Sequence, residues 1–175
     1  MTSYRRDRTD GATWFFTLAL ADRRSGLLLD NVDLLRSAFR YTQQRHRWHI
    51  DAIVILPDHL HAICTLPQGD ADYALRWRLI KTAFSRALPR TEVVSSSRQA
   101  KGERGIWQRR YWEHRIRDDL DFTRHVDYIH FNPCKHGHVT RVVDWRWSSF
   151  HRYVREGLLK ANWGEAGVEA FEAGE

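Results

Sequence analysis

Two imidazoles separated by a single residue, His59 and His61 in Pro57-Asp58-His59-Leu60-His61-Ala62-Ile63, follow directly on a strongly apolar segment. In an extended strand successive side chains point to opposite faces, so His59 and His61 share a face while Leu60 and Ala62 turn toward a core. That arrangement is half of a site for one metal ion. A second chemical group lies far along the chain, in His125-Val-Asp-Tyr128-Ile-His-Phe-Asn132-Pro133. On a helix Asn132 sits one turn beyond Tyr128, so a phenol and a carboxamide can approach the same ligand. A phenol, with a pKa of about 10, is a poor nucleophile at neutral pH and needs a cation or a base beside it. With His59 and His61 as ligands and the Asn132 side-chain oxygen as a third, a divalent ion keeps open positions for the non-bridging oxygens of a phosphate. Each piece alone has an ordinary explanation in strand packing, helix packing or a helix stop. Their joint occurrence in one small basic chain favours chemistry.

Two competing motifs fail on spacing. A histidine-triad hydrolase needs a third histidine continuing the alternation, and Ile63 holds that place. A zincin needs histidines four apart on a helix with a glutamate beside the first. The 175 residues fit one domain, with residues 1–157 as its body and 158–175 as a C-terminal tail. Lys and Arg outnumber Asp and Glu by 28 to 22, and the excess is mostly arginine, whose planar fork suits phosphate. A polyanionic partner follows from that balance, although an ordinary basic enzyme has the same charge. Cys64 and Cys134 form no CxxC pattern, which argues against a disulfide framework or zinc knuckle and suits a reducing compartment. No segment has the length or apolarity of a signal peptide or membrane span, so a soluble cytoplasmic protein is expected.

The elements that must position these groups are legible as runs and periods. Residues 13–21 (TWFFTLALA), 48–56 (WHIDAIVIL), 59–66 (HLHAICTL) and 106–116 (IWQRRYWEHRI) read as strands, the second and third joined as a hairpin through Pro57-Asp58. Residues 32–46, capped by Asn31, and 70–88, ended by Pro89, carry apolar positions at helical spacing. Asp118-Asp119 opens a last helix that kinks or ends near Asn132 before Pro133, with Gly137 as the later cap. Residues 90–104, serine-rich and basic, read as a mobile loop, and residues 145–150 (WRWSSF) dock aromatics back on the body. The order strand, helix, strand, strand, helix, strand, helix is that of an α+β ferredoxin-like sandwich, an antiparallel sheet with helices on one face.

The segments ATWFFTLALADRRS, ILPDHLHAICTLP, DYALRWRLIKTAF, IWQRRYWEHRIRDDLDFTRHVDYIHFNPCKHGHV and DWRWSSFHRY together resemble the REP-associated tyrosine transposases of the single-tyrosine HUH nuclease superfamily. The resemblance covers most of residues 4–157, in order. It implies that His59 and His61 bind a divalent metal, that Tyr128 is the nucleophile, and that Asn132 is the polar ligand one turn later. It also implies cleavage of single-stranded DNA at repetitive extragenic palindromes, through a 5′-phosphotyrosine that a second 3′-hydroxyl can resolve without ATP. The partner would be a hairpin with a short tetranucleotide at its foot, and the protein would act at the nucleoid, as a monomer rather than a dimer.

The basic residues Arg5, Arg6, Arg23, Arg24, Arg109, Arg110, Arg115 and Arg117 are candidates to neutralise phosphates, and Trp107, Tyr111 or Trp112 to stack on bases. His125 and His130 are candidate auxiliaries. The metal is Mg²⁺ or Mn²⁺, two nitrogen ligands matching the softer manganese better. A non-catalytic hairpin-binding module and a metal phosphoesterase that activates water remain the alternatives.

Overall fold

The structure, a computed structural model, describes residues 9–165. Four antiparallel strands, β1 (Thr13–Ala19), β2 (His49–Ile55), β3 (His59–Thr65) and β4 (Trp112–Arg115), form one sheet in the order β2-β3-β1-β4. Between β1 and β2 lie α1 (Leu27–Asp30) and α2 (Val32–Arg45); between β3 and β4 lie α3 (Tyr73–Ala87) and the single turn α4 (Ser96–Gln99). The chain then forms α5 (Asp119–Lys135) and α6 (Phe150–Arg155). This is the split βαβ arrangement of a ferredoxin-like α+β sandwich. Leu56 N–H donates to the His59 carbonyl at 2.9 Å, closing the β2–β3 hairpin around Pro57-Asp58. Among the described residues no helix is long and apolar enough to cross a membrane.

Strand alternation divides the interior into two cores. Trp14, Phe16 and Leu18 of β1, with Leu60, Ala62 and Cys64 of β3, meet Leu35 and Phe39 of α2 and Trp77, Ile80 and Phe84 of α3. The opposite alternates, Phe15, Ala52, Val54 and Ile63, meet Val126, Tyr128 and Ile129 of α5. Helices therefore cover both faces of the sheet. The expectation of helices on one face holds for α2 and α3 but not for α5, because the second face of the central strands is itself apolar and must be taken from water.

Other boundaries shifted for local reasons. The fourth strand is shorter than residues 106–116: Trp107 turns into the first core at 6% exposure and makes only an isolated bridge with Leu20. Asn31 occupies the start of α2, yet its side-chain amide donates to the Leu27 carbonyl, so it does not cap. Asp72 and Asp118 do cap, accepting from Leu75 N–H at 2.9 Å and Asp121 N–H at 2.8 Å. The last helix continues through Pro133 and closes after Lys135. Gly137, at φ 71°, allows a paired closure in which its own N–H reaches the Cys134 carbonyl and His138 N–H reaches that of Pro133.

Residues 145–150 dock as expected. Ser149 N–H donates to Ile53 O and Ile55 N–H to Trp147 O, covering the free edge of β2. Part of the tail packs as well, Trp163 lying 6.1 Å from the Phe150 ring. The serine-rich segment is tethered: Arg104 donates to the Leu88 carbonyl at 2.8 Å, the Pro89 carbonyl at 2.6 Å and the Glu92 carboxylate at 2.8 Å.

Candidate metal and nucleophile site

β3 presents His59 and His61 to the α5 side, where they are 4% and 0% exposed with ring centroids 5.0 Å apart. Two imidazoles holding one ion at roughly 2.1 Å from each nitrogen place their centroids about 5 Å apart. Each ring is fixed through Nδ1. His61 Nδ1 hydrogen-bonds the Thr17 hydroxyl across the β1–β3 pair at 2.8 Å, and His59 Nδ1 lies 2.7 Å from the Asp58 carboxylate. The acceptor-only carboxylate at His59 Nδ1 favours the tautomer whose lone pair is on Nε2, and the Thr17 hydroxyl is compatible with the same tautomer at His61. His61 Nε2 is buried without a hydrogen-bond partner among the described residues. Burial holds the His61 pKa well below the ordinary imidazole value and lowers that of His59, so neither ring needs to lose a proton at neutral pH to accept a metal.

α5 brings the second half of the site. The Tyr128 ring stands edge-on to His61 at 5.1 Å and to Phe15 at 5.9 Å, with the Lys135 ammonium 4.9 Å from its centre. Asn132, one turn on, is fully buried, and neither its oxygen nor its nitrogen has a hydrogen-bond partner among the described residues. A buried amide normally satisfies both groups, so the Asn132 oxygen and His61 Nε2, both buried without partners among the described residues, are donor atoms of types that fit a divalent metal. His136, a further turn along, lies 5.4 Å from His59. Tyr128 and Asn132 thus lie on one stripe of α5, and His136, the residue that follows its last turn, continues toward the histidines of β3.

Several contributors were not singled out from the sequence. Asp58 reads there as a turn residue, yet it orients His59 and pairs with Arg23 at 2.6 Å. Its adjacency to the first histidine was the available signal. Thr17 gave none, because its role depends on strand register. Arg23 does lie at the site, its guanidinium 3.4 Å from His59 Nδ1. Arg24 is exposed and bonded to Asp22.

The remaining candidates divide. Trp112 is 41% exposed on the site side of β4, packed edge-on to Phe15 at 5.6 Å. Trp107 is in the opposite core against Phe84 at 5.6 Å, so it packs rather than offering a stacking face. Arg109 and Arg110 are exposed just before β4, and Arg115 is exposed on it. Arg117 is bound to Asp121. Arg5 and Arg6 lie outside the described residues.

His125 and His130 are not part of the pair's surroundings in the same sense. His130 faces away, hydrogen-bonded to Ser149 at 3.0 Å, with burial carrying its pKa down to about 3. His125 belongs with His114 and Asp121, three groups whose ligand atoms lie within 4.8 Å of one another. That cluster has the donor types of a metal site, but the Asp121 carboxylate already accepts from His114 at 2.9 Å and from the Arg117 backbone and side chain at 3.0 and 3.1 Å. Its visible work is bracing: the His125 ring packs on Phe15 at 4.7 Å, and Phe15 in turn packs on His61 and Tyr128.

No family model matches the chain. Individual relatives do. The REP-associated tyrosine transposase of Escherichia coli K12 is 45% identical over 175 residues, covering 100% of this chain and 98% of its own. A Haemophilus influenzae protein named for the same family is 47% identical over 165 residues, 94% of each chain. The solved structure of a REP-associated tyrosine transposase bound to a REP hairpin superposes with a TM-score of 0.83 at 45% identity, covering 100% of this chain and 98% of that one. Near-complete coverage at this identity, on a fold that brings the sequence's separated histidine, tyrosine and asparagine residues together, establishes that the chain belongs to the REP-associated tyrosine transposases, enzymes of the transposase class.

Proposed function

We propose that the protein cleaves and rejoins single-stranded DNA beside palindromic hairpins of the REP type, with Tyr128 as nucleophile. The observation that carries this is the Tyr128 ring packed on His61 within a site whose inward-facing polar atoms, His61 Nε2 and Asn132 Oδ1, are buried without partners. His59, His61 and Asn132 would hold the divalent metal, Mg²⁺ or Mn²⁺. When bound, it supplies positive charge that polarises a scissile phosphate.

The rest falls to the chain's own groups. Tyr128 Oη attacks phosphorus as the phenolic proton passes to solvent; the bond from phosphorus to the 3′-oxygen breaks, and that oxygen takes up a proton. The products are a 5′-phosphotyrosine and a free 3′-hydroxyl. The phosphodiester's bond energy is retained in the covalent link, so attack by another 3′-hydroxyl rejoins strands and restores the phenol. Arg23, at the rim beside His59, and Lys135, over the Tyr128 ring, are placed to hold phosphate oxygens during the exchange. Arg109, Arg110 and Arg115 would hold the flanking backbone, with Trp112 stacking on an unpaired base. All four central residues come from one chain, which supports a monomer as the active unit. A DNA-processing role of this kind belongs in the cytoplasm, at the nucleoid.

The test is a denaturing gel after incubation with Mn²⁺ and a hairpin oligonucleotide bearing a single-stranded flank. Wild type should give a protein-DNA adduct that survives denaturation, and Tyr128→Phe should give neither adduct nor cut strand. Cleavage by Tyr128→Phe at the wild-type rate would sink the tyrosine mechanism and favour activated water. Binding with no cleavage by wild type would favour a recognition module.

A further inference from the structure

β4 and the first turns of α5 bring together a second group of metal-type donors, one ring removed from His61, with Phe15 packed on both His125 and His61. Among the described residues, His114, Asp121 and His125 are the one group of three histidine, cysteine, aspartate or glutamate side chains whose ligand atoms all lie within 4.8 Å of one another. Asp121 and His125 stand one turn apart on α5, and His114 meets them from β4. The Asp121 carboxylate is 2.9 Å from His114 Nε2 and 3.2 Å from His125 Nδ1. Two ligands of a tetrahedral ion held at about 2.1 Å lie about 3.4 Å apart, so these spacings need little adjustment.

The hydrogen bonds already present leave an oxygen for an ion. His114 Nε2 and the Arg117 backbone and side chain all donate to Asp121 Oδ2. Asp121 Oδ1, among the described residues, faces only His125 Nδ1. That nitrogen also lies 2.8 Å from the Asp121 carbonyl, which the α5 ladder serves in any case, so releasing it orphans nothing. A neutral imidazole carries its proton on either nitrogen, so both rings can turn a lone pair on an ion with no net loss of protons. Burial keeps the His125 pKa below the ordinary imidazole value, and hydrogen bonds from His114 and Arg117 hold Asp121 well below the usual carboxylate range although burial opposes them. Both groups are therefore in their metal-binding state at neutral pH. The His114 side chain is 26% exposed, which gives an ion its way in and water a place to complete the coordination. The Arg117 guanidinium opposes a cation, but it is 71% exposed and has Asp118 beside it as another partner.

We infer that His114, Asp121 and His125 form a second divalent-metal site, separate from His59 and His61, that takes a borderline ion of the zinc class. Two imidazoles and one carboxylate suit Zn²⁺ or Co²⁺, whereas Mg²⁺ and Ca²⁺ prefer oxygen throughout. The site stands whether or not Tyr128 is the nucleophile. Its work is structural. β4 is four residues long and pairs only with β1, so an ion shared by His114 and α5 ties the edge of the sheet to the helix that carries Tyr128. His125 lies on Phe15, and the same clamp steadies the ring on which His61 and Tyr128 pack.

The test is calorimetric titration of the full chain with Zn²⁺ at neutral pH, paired with melting temperatures. Wild type should take two ions, and His114→Gln and His59→Gln/His61→Gln one each. At Zn²⁺ about 100 times its Kd, the melting temperature of His59→Gln/His61→Gln should rise by about 5–10 °C. Adding His114→Gln to that double variant should abolish both the binding and the rise. Arg117→Ala, which removes an exposed cation and no ligand, should tighten Zn²⁺ binding by the double variant roughly 5-fold. Wild-type stoichiometry in His114→Gln, or a folded His59→Gln/His61→Gln that binds no Zn²⁺, would overturn the second site. Two ions on His59→Gln/His61→Gln and one on His114→Gln would instead refute the ligands of the proposed chemistry and leave this site standing.

Discussion

At the scale of single residues, the site is governed by the partners that fix each imidazole. Thr17→Val removes the hydroxyl that holds His61 Nδ1 while keeping the side chain's shape. Loss of such an orienting contact costs about 10–100-fold in metal affinity, so Mn²⁺ binding measured by calorimetry should weaken by that factor with the melting temperature little changed. Asp58→Asn should act similarly through His59, since an amide substitutes poorly for the carboxylate 2.7 Å from Nδ1. If Mn²⁺ binds both variants as it binds wild type, His59 and His61 are not the ligands. The two histidines and Tyr128 were legible in the sequence only jointly, from the histidine spacing, the Tyr128-to-Asn132 interval and the family resemblance together. Their supports were not, because Thr17 meets His61 only through strand register, and nothing near Thr17 in sequence announces it.

At the scale of elements, two charged anchors decide how helices sit. Arg76 is 2% exposed on α3, yet it bonds the Asp70 carboxylate at 2.6 Å and reaches the His46 and Arg47 carbonyls beyond the end of α2. Arg76→Met leaves those acceptors without their donor, and urea unfolding should register a loss of about 3 kcal/mol. From the sequence Arg76 belongs to a basic outer face of the helix; periodicity cannot tell that this arginine alone turns inward to satisfy a chain end. Asp118→Ala, which removes the cap of α5, should cost about 1 kcal/mol in the same measurement. The placement of α5 was likewise beyond periodicity. Its apolar stripe was legible, but which face of the sheet it covers depends on Phe15, Val54 and Ile63 being apolar together, and that requires knowing the register of three strands.

For the whole molecule, acid is the informative stress. His125 is buried against Phe15, and burial lowers its pKa from the ordinary imidazole value. The unfolded chain therefore takes up a proton below about pH 6.5 that the folded chain resists, and stability falls as pH drops through that value. Asp121 works lower on the scale. Although burial opposes it, hydrogen bonds from His114 and Arg117 hold its carboxyl well below the usual range, so its contribution is present above about pH 4 and is lost on further acidification. Melting temperatures followed from pH 8 to pH 3 should decline in these two stages, and Asp121→Asn should flatten the lower one. A melting temperature constant between pH 7 and pH 5 would contradict the buried, neutral His125. Asp58 serves His59 with one oxygen and Arg23 with the other. A phosphate that draws Arg23 away alters the basicity of His59, and an ion settling on His59 alters how firmly Arg23 is held. On the function proposed above, the ion and the phosphate would be thermodynamically linked through Asp58, each changing the other's apparent affinity by the same factor, so that neither would have a dissociation constant independent of the other's concentration.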